Sequence, residues 1–326
     1  MPNPDDSQLQ QISLNAHGTP PNSPLPATIS QNGITNLQLI AFNELFEVAF
    51  FNQLLLNITT NVEGYFIAND ADRDFTIQVL TAILAQEEVH ALTANTGLKH
   101  FNQVPIEPCN YTFPVSTFDE AIALAATFTD VVLGTLQDVI VRFAAANDVD
   151  LTRIIAATIG NEGEQQGWFR LLQDKIPSES PTLTTSDVNF AFTAIQSFVI
   201  PGTCPNIELI NLKTFPALNI VTPPEAKTQE ILVSFSVSKE EAQSLADGKL
   251  WLTYVNQLNV PITEPLGLFE VDKEEGVVVA KALFPYDDNL LNGLTIAAVT
   301  GSEGPFADVN AVAEATLFGP GLIIVN

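Results

Sequence analysis

The sequence predicts a two-domain α + β protein, a five-helix bundle followed by an all-β sandwich. Three observations carry that prediction. Apolar residues recur at helical steps of three and four from Gly33 to Ile200. After Cys204 the pattern changes to short apolar runs separated by Gly, Pro and Asn, which is strand texture. Within the helical part, Glu87 and His90 stand on the apolar stripe Val79, Ile83, Glu87, His90, Ala94. An acid and a histidine on a core stripe need partners, because burying them unpaired costs several kcal/mol. In helical bundles the usual partners are carboxylates on neighbouring helices with a metal ion between them.

Residues 1–32 read as a flexible Pro/Asn/Ser-rich arm (Pro20-Pro21-Asn22-Ser23-Pro24) without helical period, leaving His17 in solvent. The first helix is expected from Thr35 to Ile58, apolar on most sides as a central bundle helix should be. The second runs from Ala71, with Asp72 and Asp74 in its first turn, to Gly97. His100 then sits at a helix end, against last-turn carbonyls. A loop from Asn102 to Ser116 carries prolines and Cys109. Ser116 to Glu120 forms a cap that opens the third helix, which continues to Ala146. Asp150 is expected to cap the fourth helix, which ends before Pro177, and a shorter fifth spans Ser186 to Val199. Strands are expected at Ile207–Phe215, Ile231–Val237, Leu250–Asn256, Leu266–Val271, Val277–Phe284, Leu294–Thr300 and Val312–Val325, the last as one strand or two. One helical turn is expected at Lys239–Ala246. The boundaries are therefore an arm over 1–32, a bundle over 33–204 and a β-sandwich over 205–326.

Charge narrows the partners. There are 38 acidic and 12 basic residues, a net charge of −26. Such a surface repels nucleic acid and anionic membranes, so neither is an expected partner. No uninterrupted apolar run near 20 residues is present, and no membrane insertion is expected. Cys109 and Cys204 each adjoin a proline in a loop; free buried thiols are one reading and a disulfide the other. The sequons Asn57-Ile58-Thr59 and Asn110-Tyr111-Thr112 favour the disulfide, in a secreted glycoprotein carrying sugar on Asn57 or Asn110. Met1-Pro2-Asn3-Pro4 leads straight into a polar tail without a signal peptide, so a secreted protein would be a mature form with a replaced start.

The candidate ligands fall on helical stripes. On the first helix Leu37, Ile40, Glu44, Glu47, Phe51 and Leu54 share a face, leaving Glu44 and Glu47 as alternatives. The fourth helix carries Ile155, Ile159, Glu162, Gln165, Phe169 and Leu172 in the same layout. The inward stripe of the third helix (Ile122, Ala125, Thr129, Leu136) offers only Thr129. Asp130 is one residue off, on a polar face with Gln137 and Asp138. No Ser-His-Asp arrangement is available.

The blocks Asn43-Glu44-Leu45-Phe46-Glu47-Val48-Ala49-Phe50-Phe51, Ile83-Leu84-Ala85-Gln86-Glu87-Glu88-Val89-His90 and Ile159-Gly160-Asn161-Glu162, with the Cys109-x-Tyr111-x-Phe113-Pro114 loop, resemble the ferritin-like superfamily. More narrowly they resemble its secreted fungal members linked to stress and sexual development, and the related desiccation-associated proteins. That resemblance implies a di-metal pattern in which one iron or manganese takes a first-helix Glu plus the Glu and His of the second helix, and two glutamates bridge to the other metal. Carried over, Glu44 or Glu47, Glu87, His90 and Glu162 survive. Thr129 and Gln165 stand where the second metal would have its own ligands, and both are poor ligands for iron or manganese. The expected cofactor is therefore none or one Fe/Mn ion, the alternative being a hydrogen-bonded relic network. Three functions follow: a non-catalytic stress- or development-associated surface, cell-wall or matrix protein; an Fe/Mn oxidase or peroxide-handling enzyme; or a metal-free bundle pocket for an apolar small ligand, with Glu87 or Glu162 as general acid or base.

Overall fold

The computed structural model describes residues 3–238, 249–272 and 276–326, so the turn expected at Lys239–Ala246 lies outside the described residues. The chain divides into two compact units that interleave along its length. Residues 1–126, 139–173 and 195–212 form the first, and residues 127–138, 174–194 and 213–326 the second.

The first unit is helical. It contains α1 (Asp6–Asn15), α2 (Gln31–Thr59), α3 (Asp70–His100) and α5 (Thr152–Leu172), with both ends of α4 (Phe118–Ala145). Side-chain caps set several starts. The Ser30 hydroxyl accepts from Gly33 N at the head of α2, and Ser30 itself donates to the Asp148 carboxylate. Asn69 caps α3, with Asp70 and Asp72 complementing the helix dipole. The expected cap at Ser116–Glu120 is present: Thr117 accepts from Glu120 N, and the Glu120 carboxylate accepts from Ser116 N and Oγ. Asp150 does not cap α5; it lies in a 3-10 turn, Val149–Leu151, that leads into the helix without a side-chain cap.

One further expectation is corrected here. The arm contains α1, opened by a capping box between Asp5 and Gln8 and seated through buried Ile12; His17 is exposed as expected. Both α2 and α4 have the length and apolar content of a membrane span, although the sequence shows no uninterrupted run. In each, about two-thirds or more of the most apolar window is buried inside the protein (67% and 72%), which accounts for that apolarity by core packing.

The loop after α3 is held at several points. Asn95 brackets Ile106, donating to its carbonyl and accepting from its amide. Asn206 likewise accepts from Glu107 N and donates to Pro105 O. Tyr111 pairs with Val199 in an isolated antiparallel bridge, and Cys109 is disulfide-bonded to Cys204. Phe46, Tyr111, Phe113 and Phe198 cluster beside this seam, with ring centroids 5.2–6.4 Å apart.

The second unit is built on a sheet, with α6 (Val188–Gln196) supplying most of its length to it. Among the described residues the strands are β1 (Leu218–Ile220), β2 (Gln229–Ser236), β3 (Leu250–Asn256), β4 (Ile262–Asp272), β5 (Val277–Phe284), β6 (Gly293–Thr300) and β7 (Thr316–Val325). They form one antiparallel sheet in the order β1-β2-β5-β4-β3-β6-β7. β4 joins its two halves, pairing with β3 through Ile262–Leu266 and with β5 from Gly267 onward. The expected sandwich is thus a single curled sheet whose halves share a strand. Its ends approach each other: a Cβ on Gly321 of β7 would fall 2.9 Å from the Ile220 side chain of β1. Val233, Phe235, Leu252, Tyr254, Phe284, Val299 and Ile323 fill the interior. On the other face Val255, Ile296 and Ala298 pack with Val131 of α4, Phe190 of α6, and α8 (Val309–Ala315). A short α7 spans Tyr286–Asn289.

One strand expectation fails and one is shortened. Ile207–Phe215 contains a 3-10 turn, Ile207–Leu209, instead of a strand, and Val312–Val325 begins inside α8, where Asp308 caps the helix by accepting from Ala311 N. A local cap outweighs the β-propensity of Val309 and Val312.

Candidate metal centre

Three helices of the first unit bring their polar residues to one place. Glu44 and Glu47 project from α2, Glu87 and His90 from α3, and Glu162 and Gln165 from α5. The four glutamates are fully buried, and Gln165 nearly so. His90 is the exception, with 14% of its side chain exposed. Its Nδ1 faces three carboxylates: Glu87 Oε2 at 2.9 Å, Glu44 Oε2 at 3.5 Å and Glu162 Oε1 at 3.6 Å. One ligand atom from each of Glu44, Glu87, His90 and Glu162 lies within 4.8 Å of all the others.

Of the alternatives Glu44 and Glu47, the four-residue group contains Glu44, and Glu47 lies close enough for the charges of Glu162, Glu87 and Glu44 to raise it. Glu44 joins the group, whereas Glu47 Oε1 accepts from Asn43 Nδ2 at 2.9 Å, one helical turn away. Gln165 donates through Nε2 to Glu87 Oε1 at 2.6 Å and to Gln86 Oε1 at 3.2 Å. Gln86 Oε1 also accepts from Asn161 Nδ2 at 3.3 Å. These three carboxamides form a polar edge beside Glu87. Gln86 and Asn161 stand in the blocks that carry the family resemblance but were not expected in the site, although Gln86 stands one turn before His90 on α3. Thr129 is buried with its hydroxyl unpartnered, and it belongs to the second unit. Asp130 and Asp138 are buried, which corrects the polar face expected for them.

Electrostatics make the cluster short of donors. Neither oxygen of Glu44 or of Glu162 accepts a hydrogen bond, nor does Glu47 Oε2. Burial pushes Glu44 up to about 7 despite the opposing attraction of His90. Burial, reinforced by neighbouring carboxylate charge, puts Glu47 and Glu162 well above the usual carboxylate range. Glu87 differs: burial pulls it upward, but His90 and the Gln165 hydrogen bond outweigh burial and hold it below its ordinary value. His90 is raised because Glu87 and Glu44 overcome the desolvation that would favour the neutral ring.

Buried oxygens without donors, converging with one imidazole nitrogen, are what a divalent cation would satisfy. Carboxylate oxygens plus imidazole suit iron or manganese, and the cluster contains no thiolate. The residues therefore fit one ion. The groove between α2 and α3, about 220 Å³ and lined by residues including Leu45, Val48, Leu84, Leu92 and Glu88, is not lined by Glu87. The Cys109–Cys204 disulfide expected from the sequence is formed. Asn110 is exposed, and Asn57 is half-buried on α2, where its Oδ1 accepts from Gln53 Nε2.

A comparison with curated proteins finds no match to the chain. Residues 34–175, which contain all six of these polar side chains, match the family model described as "Ferritin-like domain", and this stretch is a ferritin-like helical domain.

Proposed function

We propose that this protein holds one iron or manganese ion between Glu44, Glu87, His90 and Glu162. The observation that carries this reading is the convergence of three fully buried carboxylates on a single histidine, with the oxygens of Glu44 and Glu162 lacking donors. When bound, such an ion would supply Lewis acidity or one-electron redox chemistry. The chain's own residues hold it, exclude bulk water, and fix Glu87 through Gln165. Gln165 offers no charged ligand for a second ion, which favours a metal-binding role over two-metal oxidase chemistry.

The setting proposed for it is extracellular, as an acidic surface or matrix protein. The Cys109–Cys204 bridge and the net charge of −26 support that setting.

Manganese(II) titration of chelator-treated protein should give one ion per chain with release of protons. The sign follows from the raised groups. Glu44, Glu162 and His90 each hold a proton to higher pH than the free side chain does, and ligation requires its loss. Apparent affinity should therefore rise with pH through about 7 and fall in more acid solution. A pH-stat records the protons; binding without proton release would contradict the assignment.

A further inference from the structure

We propose that the groove between α2 and α3 binds a small amphiphilic amine, its ammonium against the Glu88 carboxylate and its alkyl or aromatic body against Val48, Leu84 and Leu92. The site stands apart from the carboxylate–histidine cluster and from any ion held there.

The two sites use neighbouring faces of the same helices. On α3 the cluster takes the stripe Ile83, Glu87, His90, whereas the groove takes Leu84, Glu88, Ala91 and Asn95, one residue further on and so about 100° round the helix. On α2 the buried stripe Glu44, Glu47, Phe51 has the groove residues Leu45, Val48 and Asn52 beside it. The hollow measures about 220 Å³. That is about half as large again as the roughly 150 Å³ apolar cavity that holds one benzene molecule, which gives room for a bicyclic ring or an alkyl chain of roughly eight carbons.

The lining is chiefly apolar. Val48, Ala49, Leu84 and Leu92 are half-buried, leaving apolar surface that a ligand would take out of water. Asn95 makes no demand on a ligand, because it already donates to Ile106 O and accepts from Ile106 N. Glu88 is the charged side chain of the lining, and a carboxylate keeps acceptor sites for an ammonium beside any partner it already has. Pro108 contributes a wall from the loop after α3. Asn95 and Asn206 hold that loop at residues 105–107, and the Cys109–Cys204 bridge holds it at the residue after Pro108. This wall is therefore in place before a ligand arrives, which lowers the ordering cost of binding. Charge selects the class of ligand. A carboxylate beside apolar walls favours a cation with an apolar body, and the net charge of −26 draws cations to the surface while repelling fatty anions.

The test is calorimetric titration of the full chain, without metal, by three probes that share one tail: octylamine, octanol and octanoate. At neutral pH octylammonium should bind once per chain and roughly fivefold more tightly than octanol, with octanoate weakest. Glu88→Gln should bring octylammonium down to the affinity of octanol. Ala49→Phe, which fills the hollow, should weaken octylammonium and octanol alike by about tenfold or more. Equal affinity for the amine and the alcohol in the parent chain, amine affinity that survives either substitution, or no saturable amine binding would each overturn the site. If Ale49→Phe does not fold, Glu88→Gln, altered at a half-buried position, decides the outcome with the three probes.

Discussion

Replacing His90 with alanine is expected to destabilise the metal-free protein by about 3–5 kcal/mol, the usual result of removing one partner from a buried charged pair. Among the described residues His90 is the cation that faces Glu44, Glu87 and Glu162, at 3.5, 2.9 and 3.6 Å. Its attraction is the largest of the effects that together outweigh burial at Glu87. Without the imidazole, Glu87 must either stay charged in a dry site or take up a proton beside two carboxyls that already resist ionisation. Glu162→Gln should behave differently. That carboxyl accepts no hydrogen bond and burial favours its neutral form, which the amide isostere reproduces, so metal-free stability should hold. Metal affinity should nevertheless fall by more than the roughly 10–100-fold that losing an outer-shell contact costs. Urea unfolding of both variants beside the parent, with and without manganese(II), checks the pair. If Glu162→Gln costs as much stability as His90→Ala, the cluster is a structural hydrogen-bond network and the metal assignment fails.

Removing the Cys109–Cys204 bridge should cost about 4–5 kcal/mol, the chain-entropy value for closing a loop of this length. The two cysteines are 95 residues apart in sequence. The bridge closes a seam that also uses the Asn206 contacts, the Tyr111–Val199 bridge and the aromatic cluster around Phe46. These weaker contacts depend on a loop without regular structure of its own, and so are the first to be lost when the unfolded chain regains its freedom. Cys109→Ser combined with Cys204→Ser, compared with the oxidised parent by denaturant unfolding, measures the cost. A loss below about 1 kcal/mol would mean that the hydrogen-bonded seam closes the loop unaided.

Much of this arrangement was legible in the sequence because it is periodic. The stripe through Ile83, Glu87 and His90, repeated by Ile159 and Glu162, puts charged groups where only apolar ones belong, and spacing alone sends them inward. Periodicity could not separate Glu44 from Glu47, since both lie on the inward side of α2. The separation came from Asn43, one turn away, which takes up Glu47. The carboxamide edge was hidden for a related reason: Gln86 and Asn161 are half-buried at the rim, where glutamine and asparagine carry no pattern. Helix α1 left only its capping box as a signal, because a helix that buries one isoleucine has no apolar stripe. In the sheet unit, β3 and β5 matched their apolar runs at both ends. Segment 312–315 misled because a short apolar stretch suits a strand and a helix alike, and the deciding Asp308 cap lies one turn before it. His100 was expected against the last carbonyls of its own helix and instead holds a carbonyl of the arm, a long-range contact invisible to local reading.

The most direct test is an anomalous-difference map, measured at the manganese edge, from crystals grown with manganese(II). One peak per chain, within coordinating distance of Glu44, Glu87, His90 Nδ1 and Glu162, is the result expected. A map with no peak among these residues would contradict the site, and two fully occupied ions about 3.5–4 Å apart, as in two-metal enzymes, would contradict the single-ion claim.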